Sequence, residues 1–191
     1  VCVSASTHEN EELFAAKTHL LLKQKYKNLI TIIIPRHVHR VSKIKNNITE
    51  LGLKTVNHSE NKKSLDDIDI YIVDTFGESK KFYKLATTVF VGGSIFKRGG
   101  HNPLEPARYG AKILHGPYIE NFTEIYKLLN SLKISTKINT PKEFANQVIF
   151  KKNMKKVLKI RKLGNVILKK TSKELNRLIS YENKKTQILG L

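Results

Sequence analysis

The sequence predicts an α/β domain in which a parallel β-sheet carries helices on both faces. Short apolar runs alternate with amphipathic helical stretches along the chain. Leu29–Ile34 is a continuous run that is β-branched from Ile30 onward and apolar except for Thr31, as expected of a strand buried on both faces. Polar or glycine-rich residues follow the ends of four runs, and ligands of such sheets bind beyond the carboxyl ends of the strands. A binding site is therefore expected at that edge.

Apolar, β-branched composition predicts six strands. They are Val1–Ser4, Leu29–Ile34, Lys54–Asn57, Ile68–Val73, Thr88–Val91 and Lys112–His115. Pro35 ends the second strand, and Gly116-Pro117 breaks the chain after the last one.

Helical spacing of apolar residues predicts the segments between the strands. The first helix carries a stripe that begins at Leu13, and Ser6–Glu9 offers a capping box for its start. A second helix runs from Val41 to near Gly52. Further helices are expected over Lys80–Ala86, Pro103–Tyr109 and Asn121–Leu132, and the chain is expected to be wholly helical from about Pro141. Residues 1–150 form the predicted domain, and residues 151–191 form a basic helical C-terminal segment that packs on it.

Composition excludes several classes of protein. No apolar run approaches the roughly 20 residues of a membrane-spanning helix. The start lacks a secretory signal, and the single Cys2 permits no internal disulfide. The chain begins with Val1 inside a predicted strand, so it reads as a piece of a longer polypeptide.

The net charge of +19 favours anionic partners, namely nucleic acid, an anionic membrane surface or a phosphorylated substrate. Residues 151–191 hold 13 Lys or Arg against two Glu, a net charge of +11. Tyr181 is the one aromatic residue after Phe150, which disfavours nucleic-acid binding. The whole chain has 29 Lys against 6 Arg, so a coding bias explains the tail as well as a membrane-facing surface does.

Two glycine pairs mark the strongest candidate site. Gly92-Gly93-Ser94 follows the strand Thr88–Val91, and Gly99–Pro106 leads into a short helix. Glycine lets backbone N–H groups approach an anion, and a helix N-terminus favours negative charge. Asn102 and Glu105 lie three residues apart, on one helical face, where they could bind sugar hydroxyls. A tight turn required only for packing is the alternative.

Five segments together resemble the C-terminal half of the Kdo (3-deoxy-D-manno-octulosonic acid) transferases. The segments are Ala5–Glu12, Pro35–His37, Asp74–Glu78, Val91–Ser94 and Gly99–Pro106, and the resemblance extends to about Ile125. It implies a Rossmann-like domain, the donor-binding C-terminal half of a GT-B glycosyltransferase that moves Kdo from CMP-Kdo to a lipid A precursor. The acceptor site and the carboxylate base would lie in an N-terminal domain absent from this chain, so no catalytic residue is expected here.

The resemblance also implies which residues contact CMP. They are Pro35, Arg36, Gly77, Glu78, Ser79, Asn102, Pro103, Leu104 and Glu105. Weaker support is expected from Ser6, Thr7, His37, Gly92, Gly93, Ser94, Gly99, Gly100 and His101. Arg36 suits bidentate binding of a phosphate or carboxylate, unless it lies on a solvated loop.

Several of these residues have a second interpretation. Glu78 accepts from ribose hydroxyls or caps the following helix, and Ser6 and Thr7 either bind the ligand or cap a helix. His8, His37 and His101 follow three predicted strands, but hydrogen bonding to phosphate or packing is favoured over metal ligation. No metal or other cofactor is expected.

Two positions depart from the pattern of the family, which has glycine at both. Asn10 tolerates a left-handed backbone, whereas Val73 does not, so a positive φ at residue 73 would disturb Asp74–Ser79.

The functional expectation is a donor-binding part in lipopolysaccharide synthesis, inactive alone and peripheral at the cytoplasmic face of the bacterial inner membrane. Its expected partners are CMP-Kdo, a phosphorylated lipid A precursor held by the missing domain, and the anionic membrane surface. The alternatives are a basic nucleic-acid-binding module, a GT-B transferase for another nucleotide sugar, and an inactive remnant of a split transferase.

Overall fold

The computed structural model describes residues 1–152, 158–160, 162, 164 and 172–177, and within them shows one sheet of seven parallel strands. The strands are β1 (Cys2–Thr7), β2 (Thr31–Pro35), β3 (Thr55–Asn57), β4 (Ile70–Ile72), β5 (Thr88–Val91), β6 (Lys112–His115) and β7 (Ser135–Lys137). Their spatial order is β3-β4-β2-β1-β5-β6-β7, and every pairing is parallel. The predicted α/β class is confirmed.

Six α-helices connect or follow the strands in residues 1–152. They are α1 (Glu11–Lys23), α2 (Val41–Thr49), α3 (Ser79–Leu85), α4 (Leu104–Arg108), α5 (Thr123–Ser131) and α6 (Pro141–Gln147). Single 3-10 turns precede α2 and α5, at Val38–Arg40 and Glu120–Phe122, and another follows β3 at His58–Glu60.

Helices cover both faces of the sheet, as predicted. On one face, Ile70 and Ile72 of β4 pack with residues of α1 and α2, and Leu114 of β6 packs with α1 and α6. Side chains alternate along a strand, so Tyr71 and His115 point to the other face. There Tyr71 contacts Phe82 of α3, and His115 contacts Tyr126 of α5.

The order of the strands places a topological switch point at β1. From β1 the chain passes to β2 on one side, and it later returns to β5 on the other side. The loops after β1 and β5 therefore leave neighbouring strands in different directions, which is where open α/β sheets bind ligands. Both loops carry residues of the predicted site.

The structure corrects three element predictions. A seventh strand, Ser135–Lys137, lies at the sheet edge where no strand was predicted. Helix α1 begins at Glu11 rather than after a Ser6–Glu9 capping box, because β1 continues to Thr7. The chain is not wholly helical from Pro141, since α6 ends at Gln147 and residues 148–152 are not helical.

The predicted helical segment 151–191 falls mostly outside the described residues and stays a prediction. Those described between 158 and 177 are helical. No helix among the described residues is both long and apolar enough to cross a membrane.

Replacing Phe144 with alanine is expected to lower the free energy of unfolding by about 3–5 kcal/mol. The Phe144 ring is 1% exposed and contacts the rings of Phe14 and Phe90, so its loss leaves a cavity between α6 and the sheet. Phe76→Ala is the matched control, because Phe76 is 76% exposed, and a change within about 0.5 kcal/mol is expected. Urea unfolding measures both, and equal losses would contradict this packing.

Candidate functional site

Polar side chains from three adjacent strands meet at the carboxyl edge of the sheet. His8 follows β1, Arg36 follows β2, and the long segment Gly92–Pro103 follows β5. Since β2, β1 and β5 are neighbours, these loops lie side by side. We call residues 8–10, 36–40 and 92–103 the central loop cluster.

A buried carboxylate joins two of these loops. Glu11 Oε2 accepts hydrogen bonds from the backbone N–H of His8 at 2.9 Å and of Gly93 at 2.7 Å. Its Oε1 accepts from the N–H groups of Ser94 and Ile95, both at 3.0 Å. Glu11 is fully buried. Four charge-assisted hydrogen bonds therefore fix the loop after β5 to the first turn of α1.

Glycine at position 92 permits this close approach. Gly92 N–H donates to the Ala5 carbonyl at 2.8 Å, which extends the contact between β1 and β5. A Cβ at residue 92 would overlap the Ser6 carbonyl oxygen and stand 2.8 Å from Glu11 Oε2. Any larger residue would separate the two loops.

The structure thus corrects the expected role of the first glycine pair. The Gly93 and Ser94 amides were expected to approach a phosphate, but they bind the protein's own carboxylate. Gly100 N–H likewise donates within the protein, to the Gly93 carbonyl at 2.8 Å, and Gly99 offers its carbonyl to the Asn121 N–H at 3.0 Å. Except for that of Gly99, the N–H groups of the four glycines and of Ser94 bind within the protein, so they organise the loop.

A second buried carboxylate holds an arginine. Arg40 Nη1 and Nη2 donate to the two oxygens of Glu12, at 3.0 and 3.2 Å. Thr7 Oγ1 also donates to Glu12, at 3.0 Å, so Thr7 does not cap a helix. Ser6 has a left-handed φ of 55°, and its carbonyl lies against Gly92. Both residues shape the end of β1.

Two histidines form a hydrogen-bonded pair within the cluster. The Nε2 atoms of His8 and His101 are 2.9 Å apart, and their rings are parallel within 4°. His37 meets the His8 ring edge-on, with centroids 5.7 Å apart. The three histidines that the sequence placed after separate strands therefore do come together, and His8 and His101 are called the histidine pair below.

The surroundings of the histidine pair disfavour positive charge. Burial, followed by the charges of His101, Arg98, His37 and Arg40, lowers the pKa of His8 to about 4. Burial, followed by Arg36 and His37, lowers the pKa of His101. Both rings are therefore neutral at pH 7 in the free protein. Burial disfavours a charge of either sign, but the contributions of Arg36, Arg40 and Arg98 show a positive potential, which attracts anions.

Arg36 and Arg98 supply unpaired positive charge. Both side chains are exposed, and among residues 1–152 neither forms an ion pair. The backbone of Arg36 is fixed, because its N–H donates to the Thr7 carbonyl at 3.0 Å. Pro35 is buried at the end of β2, so it positions Arg36.

A second group of predicted residues lies where α3 contacts α4. Burial and the charge of Glu105 raise the pKa of Tyr83 to about 12, and a hydrogen bond from Ser79 opposes this rise. Tyr83 thus lies near both Ser79 of α3 and Glu105 of α4, two segments that are distant in the sequence. Asn102 is exposed, and its Oδ1 accepts from the Leu104 N–H at 3.0 Å.

The remaining predicted contacts differ in exposure. Pro103 is buried and Leu104 is half-buried at the start of α4, where they support Glu105. Gly77 has a φ of 81° on an exposed turn. Glu78 makes no cap hydrogen bond to α3 and instead pairs with Lys81 at 2.6 Å.

The two departures from glycine are both accommodated. Asn10 adopts a φ of 70°, as expected of an asparagine in place of glycine. Val73 is not among the residues with positive φ, and it is fully buried after β4. The turn Asp74–Ser79 therefore does not depend on a glycine at position 73.

Sequence reasoning missed three residues that hold the central loop cluster together, namely Glu11, Glu12 and Arg40. The available signal was a pair of adjacent carboxylates at the start of an otherwise apolar helix, immediately after a strand. Among the described residues, no group of three or more His, Cys, Asp or Glu is arranged to hold a metal ion.

The switch-point topology, the glycine-rich loop and the exposed arginines at the edge of the sheet define the class of the protein, a GT-B-like domain. Its fold matches the crystal structure of the C-terminal CMP-Kdo binding domain of WaaA from Acinetobacter baumannii. The TM-score is 0.71 at 27% identity, and the match covers 76% of each chain.

Curated relatives agree with the structural match. A 3-deoxy-D-manno-octulosonic acid transferase of Rickettsia prowazekii is 35% identical over 189 residues, which are 99% of this chain and 39% of the relative. The Haemophilus influenzae transferase is 31% identical over 140 residues, 73% of this chain and 33% of the relative. No family model matches. The chain belongs to the Kdo transferase family, and it spans a third to two fifths of the length of these relatives.

Replacing Glu11 with glutamine is expected to lower the free energy of unfolding by about 2–4 kcal/mol. The new NH2 group cannot accept hydrogen bonds, so two buried amides of the four would face a donor. Glu50→Gln is the matched control, since Glu50 is exposed at the end of α2, and no measurable change is expected. Urea unfolding of both variants tests this, and equal stability would show that the Glu11 contacts contribute nothing.

Proposed function

We propose that this chain is the donor-binding part of a Kdo transferase, and that it binds CMP-Kdo at the carboxyl edge of its sheet. The observation that carries the proposal is the unpaired positive charge of Arg36 and Arg98 beside the histidine pair. The donor has a phosphate that links the nucleoside to the sugar, and the sugar itself is an acid. The central loop cluster suits both anions.

The group around Tyr83 suits the nucleoside. Ser79 and Glu105 both lie near Tyr83, and Asn102 precedes Glu105 at the start of α4. Hydroxyl and carboxylate groups bind ribose hydroxyls, whereas a carboxylate repels phosphate. We therefore assign the ribose to Ser79 and Glu105, and the phosphate to the arginines.

The role of this part in transfer is to stabilise the leaving group. An acceptor hydroxyl attacks the anomeric carbon of Kdo, the bond to the phosphate oxygen breaks, and CMP departs with the bonding electrons. Positive groups held in advance at the phosphate stabilise the charge that develops there. Arg36, with its backbone fixed by Thr7, is the principal such group.

The base that deprotonates the acceptor is assigned to another part of the enzyme. The two buried carboxylates near the cluster are already engaged, Glu11 by four amides and Glu12 by Arg40. The proposal requires no metal, because the exposed arginines supply the positive charge.

We further propose that the complete enzyme acts on a phosphorylated lipid A precursor at the cytoplasmic face of the inner membrane. The support is the net charge of +19, which favours contact with an anionic surface.

Titration of the chain with CMP tests the proposal. Arg36→Ala is expected to weaken CMP binding about tenfold or more, because a charge-assisted hydrogen bond contributes roughly 1.5–3 kcal/mol. Arg108→Ala is the matched control. Arg108 carries the same charge and is exposed at the C-terminal end of α4, outside the central loop cluster, so this variant is expected to bind CMP like the wild type. Absence of CMP binding at millimolar concentration, or equal weakening by both variants, would refute the proposal.

A further inference from the structure

We propose that the histidine pair, His8 and His101, takes up a proton when an anionic group of the ligand binds, and then donates a hydrogen bond to that anion from one of its outer Nδ1–H groups. This inference rests on the proposed function, since it specifies how the donor's phosphate or carboxylate is held. It adds a proton-linked binding element that the charges of Arg36 and Arg98 alone do not supply.

The geometry of the pair determines where the protons are. With the two Nε2 atoms 2.9 Å apart, one ring must donate and the other accept. Two neutral imidazoles carry two N–H hydrogens, so one hydrogen bridges the pair and the other lies on Nδ1 of the accepting ring. The donating ring then has a bare Nδ1 lone pair, which repels an anion.

One added proton removes that repulsion. It occupies the remaining Nδ1, so the singly protonated pair carries an N–H on both outer nitrogens and keeps its internal hydrogen bond. The pair changes from one donor and one acceptor into two donors with a positive charge. This is the form that a phosphate or carboxylate binds best.

Burial, followed by the charges on the elements around the pair, explains why this proton is absent from the free protein. Arg36, His37 and Arg40 approach from the segment after β2, and Arg98 approaches from the loop after β5. The nearby acids Glu11 and Glu12 already bind amides and Arg40, and Tyr126 donates its hydroxyl to the His101 carbonyl at 3.1 Å. A bound anion would offset the arginine charges and raise the pKa of the pair.

Gly93 holds the two rings in place. Its φ is 68°, and a Cβ there would stand 3.0 Å from Cδ2 and 3.1 Å from Nε2 of His101, and 3.5 Å from Cδ2 of His8. The N–H of Gly93 is bound to Glu11. The pair therefore packs against a rigid backbone position, which keeps the Nε2 atoms within hydrogen-bonding distance.

The direction of the pH effect follows from this linkage. The pKa of the pair is low in the free protein and higher in the complex, so binding takes up a proton between the two values. Affinity rises as the pH falls through the pKa of the complex, and levels off below that of the free protein. The phosphate of CMP titrates near pH 6, so the measurements belong between pH 7 and 8.5.

Calorimetric titration with CMP in two buffers of different ionisation enthalpy measures the proton uptake. The wild-type chain is expected to take up about half a proton per CMP at pH 7. His101→Gln is expected to abolish this uptake, because glutamine retains a donor but does not titrate. His58→Gln is the matched control, since His58 follows β3 outside the central loop cluster and bonds to Tyr71, and its proton uptake should equal that of the wild type.

Two further ligands identify the group that is held. Cytidine lacks the phosphate, and free Kdo offers only a carboxylate. Uptake with CMP but not with cytidine assigns the pair to the phosphate. Proton uptake when free Kdo binds, but not when CMP binds, assigns the histidine pair to the carboxylate. Proton uptake with neither CMP nor Kdo, although CMP binds, overturns the inference.

Imidazole resonances of the wild-type chain give a readout that does not depend on a variant. NMR titration with and without the ligand that drives uptake is expected to show the pKa of His8 or His101 raised close to the pH at which the uptake is measured. CMP binding with unchanged histidine pKa values, or with equal proton uptake in His101→Gln, refutes the inference and leaves the proposed function standing. Absence of CMP binding altogether refutes the proposed function instead.

Discussion

The arrangement of the site depends on one buried carboxylate. Glu11 accepts four backbone hydrogen bonds, one from the loop after β1 and three from the loop after β5. These loops leave the paired strands β1 and β5 at the topological switch point, and Glu11 joins them beyond the end of that pairing. An uncompensated carboxylate at this depth would be costly, but the amides replace the water it loses. Glu11 therefore fixes the first part of the loop after β5, from Gly93 to Ile95.

This use of Glu11 separates structural from ligand-binding charge. Internal carboxylates satisfy the amides and Arg40, while Arg36 and Arg98 stay exposed without ion pairs among residues 1–152. The histidine pair packs against Gly93 and lies near these arginines. The loop thereby has an organised interior and a cationic surface, as binding of a nucleotide-linked acidic sugar requires.

The sequence was sufficient for the fold class and for most of the strands and helices, whereas the predicted ligand contacts stay predictions. Thr88–Val91 and Lys112–His115 match the observed strands residue for residue, because turn residues or charged residues bound each run. The edge strand Ser135–Lys137 was missed, because it is short and polar. Three of the four partners of Glu11 lie 82 to 84 residues away, and local pattern does not report contacts over such a distance. For the same reason, the glycine amides were assigned to a ligand when the protein itself supplies their anion.

A crystal structure of the chain with CMP tests the central claim most directly, because the claim concerns which groups meet the phosphate. The account predicts a phosphate at Arg36 and the histidine pair, with Glu11 still bound to the amides of Gly93, Ser94 and Ile95. A phosphate seated on those three amides, with the Glu11 side chain displaced, would contradict it.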